Sequence, residues 1–400
     1  MATSASLSSI AEKLPSASLP SPVRTRFCPT FSRIQGADRQ LPSMDSITQF
    51  VLGAAIGEVT LRRPSTEGGR ALTWQAAWIG GMVATLPDLD VFTRPFLSAP
   101  QALASHRGIT HSLFFCSVAS PLMAALLKKL FPRYDISPRQ WTIFVWLALN
   151  THWMLDSLTT YGTQIFQPFS SYPVNIGSIF IVDPLYTVPL FMGVLASIIG
   201  NRRGRPLTLK PIAVALILST AYLGFTLVSK YTIQSRLQAD WESKGIPYRK
   251  MITAATPFNS LVFYAYVDTG TDIWVADGAL LDPPDRKPVW QRVSKNAELL
   301  PGFGQGPAGE TLLWFSRGFY SLEVEDGRPV FNDLRFGRLR GWLTTQEPGG
   351  SDFIFRYYLS PEKLEGPYES WSRRRSRDRM SEFPWHLLLM RMMGREVPPD

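Results

Sequence analysis

Five long apolar runs constrain this chain more than any other feature: residues 71–87, 109–127, 141–158, 179–200 and 211–229. A helix rises about 1.5 Å per residue, so roughly 20 apolar residues match the ~30 Å hydrocarbon core of a bilayer. The last run, PIAVALILSTAYLGFTLVS, carries no charge and is the strongest. The first is the weakest, diluted by Thr73, Gln75, Gly80 and Gly81. A sixth segment, 46–61, falls short of a comfortable span and reads as a short membrane helix or one lying in the interface. Its Gly53 and Gly57, four apart, would let another helix approach closely. The expected fold is an α-helical membrane protein with about five to six membrane helices, followed by a soluble α+β, β-rich domain.

The loops between these runs alternate in charge. Arg62, Arg63 and Arg70 lie in 62–70, Lys128, Lys129, Arg133 and Arg139 in 128–140, and Arg202, Arg203, Arg205 and Lys210 in 201–210. Between them, 88–108 holds only Arg94 and Arg107, and 159–178 holds no lysine or arginine. By the positive-inside rule the two poor loops face outward. The net charge of +9 is thereby absorbed by topology, and no direct nucleic-acid binding is expected. With only Cys28 and Cys116, there is no disulfide framework to read.

Against this apolar background stand PDLD at 87–90, HRGITH at 106–111, HWMLD at 152–156 and Asp183 in IFIVDP. An ionisable group at membrane depth costs roughly 2.5–3.5 kcal/mol unless it finds a partner or water, and a metal ion is such a partner. Imidazole and carboxylate without nearby thiolate suit zinc, with manganese as the other candidate. His152 and Asp156, four apart, share one helix face and could hold one ion together. The topology read from lysines and arginines brings all these motifs to the outer end of their spans. The resulting site reading has Asp88, Asp90, His106, His111, His152 and Asp156 as metal ligands and Arg107 as the catalytic group that stabilises an oxyanion. Asp183 and Glu58 are additional candidates. Taken singly, each motif has a plain structural explanation. PDLD suits a helix terminus, HRGITH an Arg–carboxylate pairing, HWMLD an interhelical hydrogen bond, and Asp183 before Pro184 a helix start.

Residues 1–43 hold nine serines, five prolines and four arginines with only Glu12 and Asp38 acidic. They read either as a transit peptide or as sequence upstream of a misjudged start, with Met44 opening the folded protein. The domain reading is therefore 1–43 as a disordered or targeting extension, 44–230 as the helical membrane domain, 231–365 as the extramembrane β-rich domain, and 366–400 as a basic tail. In the third part a helix is expected around 231–245, with Ile233, Leu237 and Trp241 on one face. Strand-like alternation is read at 260–268, 271–276, 312–325 and 353–359, and hairpin turns at Asp277-Gly278 and Asp326-Gly327. The tail carries one amphipathic turn near WHLLLMRMM, and its His386 reads as a surface residue.

The segments MDSITQFVLGAAIGE, TLPDLD, HRGITHS, THWMLDSLTTYGTQ and IFIVDPLYT, in this order, resemble the YdjM-type family of inner-membrane-bound proteins assigned as metal-dependent hydrolases. WFSRGFY and NDLRFG echo it in the distal domain. The resemblance implies a helical membrane core and a distant similarity to the zinc-dependent phospholipase C and nuclease superfamily, where His and Asp hold zinc and activate water on a phosphoester. The functional expectation is a membrane-bound metal-dependent hydrolase acting on a phosphoester or similar bond at the outer interface. The alternatives are an ion- or proton-coupled transporter and a non-catalytic membrane adaptor. The expected partners are the lipid bilayer and an amphipathic or lipid substrate. The expected location is a bacterial inner membrane, with site and distal domain outside, or an organellar membrane if 1–43 is a transit peptide.

Overall fold

Glycine sets how the helical part begins. Helices α1 (Asp45–Leu61) and α2 (Trp74–Ala84) run antiparallel in backbone contact. A Cβ on Gly57 would lie 2.1 Å from Ala76 O, and one on Gly80 would lie 2.1 Å from Gly53 O. Gly80, which dilutes the apolar run, is thus the mating half of the expected Gly53/Gly57 contact, the small-residue packing used where helices meet without a hydrophobic drive, while Gly81 makes room for the Phe50 ring. This is a computed structural model, and it describes residues 45–62, 72–203, 209–299, 301–338, 353–360, 368, 370–373 and 383–397. The expectations for 1–43, and those for Arg63, Arg70 and Arg205, lie outside the described residues.

After α2 the chain enters a ten-residue 3₁₀ stretch, Pro87–Phe96, then α3 (Ala99–Ser105), α4 (Leu113–Leu130), α5 (Pro138–Leu158), α6 (Pro184–Arg202) and α7 (Lys210–Ser243). The starts are capped as their sequence dictates. Ser98 forms a capping box with Gln101, Ser112 Oγ accepts from Phe115 N at 3.0 Å, and Ser137 Oγ accepts from Gln140 N at 3.2 Å ahead of Pro138. The starts of α1, α4 and α6 meet the ends of α2 and α5 at one end of the bundle. Ser46 donates to Asp88, Thr48 bonds Thr187, and His152 reaches Ala84 O. At the opposite end Gln140 Nε2 donates to Thr60 O, and Glu58, Arg62 and Ser197 join α1 to α6.

Among the described residues, two helices are long and apolar enough to cross a bilayer: Leu113–Leu130 and Lys210–Ser243. Ser46–Leu61 and Pro184–Gly200 are apolar but shorter. The run expected at 71–87 yields only the 11 residues of α2, about 16 Å of helix. The run at 141–158 yields the 21-residue α5, whose Asn150, His152 and Asp156 lower its hydropathy. Outward faces remain apolar, with Leu122 on α4, Phe191 on α6 and Ile217 on α7 exposed. A soluble protein seldom presents such faces, and lipid accepts them.

Helix α7 runs through residue 230 without a break for 34 residues, about 51 Å. The expected distal helix is its last third, with Ile233, Leu237 and Trp241 buried on one face. Beyond it, β1 (Lys250–Ala255), β2 (Val262–Asp268), β3 (Asp272–Ala279) and β4 (Gln291–Ser294) form one antiparallel sheet in sequence order. Helix α8 (Pro307–Ser316) leads to a second antiparallel sheet of β5 (Tyr320–Glu325), β6 (Arg328–Arg338), β7 (Phe353–Ser360) and β8 (Ser370–Arg373). The last described helix is α9 (Trp385–Met392).

Three local expectations are corrected. The strand read across 312–325 is helix up to Ser316 and strand only from Tyr320, the break falling at Arg317 and Gly318, both with positive φ. Asp326-Gly327 is a hairpin turn, with φ of 51° and 74°, but Asp277-Gly278 lies inside β3. Gly278 is there for packing, since a Cβ would lie 2.9 Å from Ile233 Cγ2 of α7. The amphipathic turn near the C-terminus is a docked helix. Phe383, Leu387 and Leu388 join the core formed by Val262, Tyr264 and Phe319, and Arg391 is fully buried on Asp277 and Asp282. His386 on its outer side is exposed.

The two parts meet at the end of the bundle where the ionisable residues gather. Tyr161, just after α5, packs edge-to-face on Phe315 of α8 at 4.9 Å, and Trp314 Nε1 donates to Ser171 O.

Candidate metal centre

The centre starts from the 3₁₀ stretch, an uncommon conformation at ten residues. With three residues per turn, Asp88 and Asp90 project about 120° apart, so they address different partners. Asp88 Oδ1 lies 3.4 Å from His111 Nε2 and 3.5 Å from His152 Nε2. Asp90 turns instead to the His106–Arg107 turn. His106 Nδ1 lies 3.0 and 3.2 Å from its two oxygens, and Arg107 N donates to Oδ2 at 3.1 Å.

The two imidazoles facing Asp88 are fully buried, and their Nε2 atoms are 3.1 Å apart. His152 Nδ1 lies 2.6 Å from Ala84 O, which only accepts, so the network assigns the ring proton to Nδ1 and leaves a lone pair at Nε2. His111 Nδ1 is engaged by Thr110 Oγ1 at 3.0 Å, which turns its Nε2 inward as well. Two nitrogen lone pairs at that separation repel unless a proton or a cation lies between them. The spacing fits a cation. Ligands about 2.05 Å from a tetrahedral zinc ion stand about 3.3 Å from one another, and here the three separations are 3.1, 3.4 and 3.5 Å. Asp88, His111 and His152 are a group whose ligand atoms could hold one metal ion.

Asp156, one turn below His152, stands 3.5 and 3.7 Å from the same two Nε2 atoms. Its Oδ1 accepts from Gln49 Nε2 at 3.1 Å, and Arg107 Nε lies 3.1 Å from its Oδ2. That Oδ2 is a buried acceptor whose contact with Arg107 is an ion pair and not a well-formed hydrogen bond. Burial alone would raise the carboxyl of Asp90, but the hydrogen bond from His106 outweighs it and holds the group below the usual carboxylate range. Asp90 is therefore anionic at neutral pH.

Arg107 is at the centre but turned toward protein. It pairs with Asp156, donates to Thr159 Oγ1 at 3.0 Å and lies over the Tyr161 ring at 4.8 Å. Its φ of +57° is a conformation that side chains rarely adopt. That turn aims its N at Asp90 and its O at Gln164, whose N donates to it at 2.9 Å.

The structure thus brings Asp88, Asp90, His106, Arg107, His111, His152 and Asp156 to one end of the bundle, in two subsets. Asp183 and Glu58 are elsewhere. Asp183 caps α6 through Leu185 N and accepts from Tyr222 OH at 2.8 Å. Glu58 is nine residues beyond Gln49 on α1, about 13 Å along the axis, and is held by Arg62 and Ser197. Sequence reasoning missed Gln49, which donates to both His152 O and Asp156, and Ser46, which donates to Asp88 Oδ2. Both lie in MDSITQF, a segment that carried the resemblance but no assigned role.

The fold and this centre define a helical membrane protein with a His/Asp cluster at one end of its bundle. Residues 44–233 match the family described as YdjM inner membrane protein. The chain is 31% identical over 161 residues to the uncharacterized protein YfhP of Bacillus subtilis (strain 168), covering 39% of this chain and 45% of that protein. It is 35% identical over 98 residues to the inner membrane protein YbcI of Escherichia coli (strain K12), covering 24% of this chain and 55% of that one. The chain spans about half the length of these curated relatives. No solved structure matches it.

Proposed function

We propose that this chain is a membrane-embedded, metal-dependent hydrolase acting at the outer interface on an amphipathic substrate with a phosphoester or similar bond. The observation that carries the reading is the Asp88–His111–His152 group, whose separations suit a zinc-sized ion. When bound, such an ion supplies Lewis acidity and makes water a nucleophile at neutral pH. Asp88, His111 and His152 hold it, Asp156 faces both imidazoles, and Gln49 and Ala84 O fix the orientations of Asp156 and His152. Arg107 supplies positive charge beside Asp156 for an oxyanion. Zinc is the preferred ion and manganese the second.

The interface location rests on two supports. Lysines and arginines of the 128–140 loop lie at the end of the bundle away from the centre, in keeping with a cytoplasmic face there. Aromatic side chains at the centre's own end are exposed, Phe96 by 88% and Phe169 by 81%, as in an interfacial belt. Five or six helices would then lie in the membrane, α2 crossing only part of its hydrocarbon, with the distal domain outside. The buried Glu58–Arg62–Ser197 group at the other end favours an ion-coupled carrier as the second reading.

The test is metal analysis of the detergent-purified chain beside His111→Ala. Wild type should retain zinc or manganese that the variant lacks, and equal metal in both would remove the reading. Cleavage confined to soluble esters, with phospholipid vesicles untouched, would remove the lipid part alone. Proton flux in proteoliposomes without hydrolysis would favour the carrier.

A further inference from the structure

We infer that Asp90 and His106 are a proton-transfer pair beside the metal group rather than two of its ligands. The inference rests on the hydrolase reading above and assigns its acid–base step. The geometry separates the pair from the ligand group. His106 spends Nδ1 on Asp90, at 3.0 and 3.2 Å from its two oxygens. Asp90 in turn receives Arg107 N at 3.1 Å, so both its oxygens already accept from protein. Neither residue joins Asp88, His111 and His152 in the close group: Asp90 Oδ2 comes within 3.9 Å of His111, but at Nδ1 and not at the Nε2 that faces Asp88 and His152. Yet the His106 ring centroid is only 6.2 Å from that of His111, and it meets the Tyr161 ring edge-to-face at 5.5 Å.

An imidazole whose Nδ1–H is donated to a carboxylate presents Nε2 as a base, and the carboxylate fixes the tautomer and stabilises the charged ring that forms. Nε2 of His106 makes no hydrogen bond among the described residues and is not one of the fully buried unpartnered atoms. In the proposed step a water O–H gives its proton to His106 Nε2 while the water oxygen forms a bond to the phosphorus or carbonyl carbon. The bond to the leaving oxygen then breaks, and Nε2 returns the proton to that oxygen. Asp90 is the positioning residue, and Tyr161, held by Phe315 at 4.9 Å, limits the swing of the ring.

The test compares His106→Gly, Asp90→Asn and His111→Ala in the full-length, detergent-purified chain, reading bound zinc and turnover of bis(4-nitrophenyl) phosphate. His106→Gly and Asp90→Asn should keep wild-type zinc while turnover falls about 10²–10⁴-fold, the usual contribution of a general acid–base group. Added imidazole should restore part of the turnover in His106→Gly but none in His111→Ala. Loss of zinc from His106→Gly with wild type active would make His106 a ligand and overturn this inference alone. Full zinc in both with unchanged turnover would also overturn it. A wild-type chain that binds no metal, or cleaves no ester, overturns the hydrolase reading and this one with it.

Discussion

Gln49→Leu removes a neutral side chain from the centre while leaving all three proposed ligands of the close group in place. The amide donates at 3.1 Å to His152 O and at 3.1 Å to Asp156 Oδ1, so it ties the start of α1 to the last turns of α5. Loss of an outer-shell partner of this kind typically lowers metal affinity 10–100-fold, about 1.4–2.7 kcal/mol. A separate cost falls on folding stability, because Asp156 Oδ1 would be buried without a donor, worth about 1–3 kcal/mol. Leucine is close in size, so packing between α1 and α5 is largely kept. Zinc affinity is measured by chelator competition on the full chain in detergent, with secondary structure followed by circular dichroism. The expected result is at least a tenfold weaker affinity with unchanged helicity, the lower bound of that outer-shell range. Affinity equal to wild type would refute the argument that Gln49 orients the α5 side of the centre.

Other consequences follow from packing and charge. Gly80→Ala places a Cβ 2.1 Å from Gly53 O, and parting α1 from α2 should cost about 1–3 kcal/mol, read as a lower thermal midpoint in detergent. Gly224→Ala, with nothing within 4 Å, should be neutral or slightly stabilising in the same assay. Arg391→Met leaves Asp277 and Asp282 with Arg286 as the remaining cation, 3.2 Å from each. Breaking a buried pair costs about 3–5 kcal/mol, and the remaining guanidinium points to the low end, so amides of 385–393 should exchange roughly a hundredfold faster. Acid should do the same to wild type. Burial raises Asp282, but the Arg391 hydrogen bond outweighs it and the folded carboxyl titrates below its usual range. That stabilisation is complete above the ordinary aspartate pKa of about 3.9 and is lost as pH falls through the lower folded value. Protection of α9 that is flat from about pH 5 to about pH 2.5, a window spanning that ordinary value, would contradict this.

The charged members of the centre were legible in the sequence because each stands against hydrocarbon, where a carboxylate or imidazole is conspicuous. Their separation into two subsets was not. PDLD and HRGITH carry the same residue types whichever carboxylate meets which imidazole. The division of Asp88 from Asp90 depends on the 3₁₀ pitch of Pro87–Phe96, which periodicity over so short a segment does not reveal. Gln49 and Ser46 were hidden for the opposite reason: neutral polar residues at a helix start are ordinary, and only the fold brings them to Asp156 and Asp88. In the distal domain the turn reading failed where neighbouring residues serve a second element. Asp277-Gly278 has the composition of a turn, but its glycine admits α7 and its aspartate receives Arg391 from 114 residues away. A turn pattern is a local preference, and a long-range ion pair plus a helix pressed against the strand outweigh it.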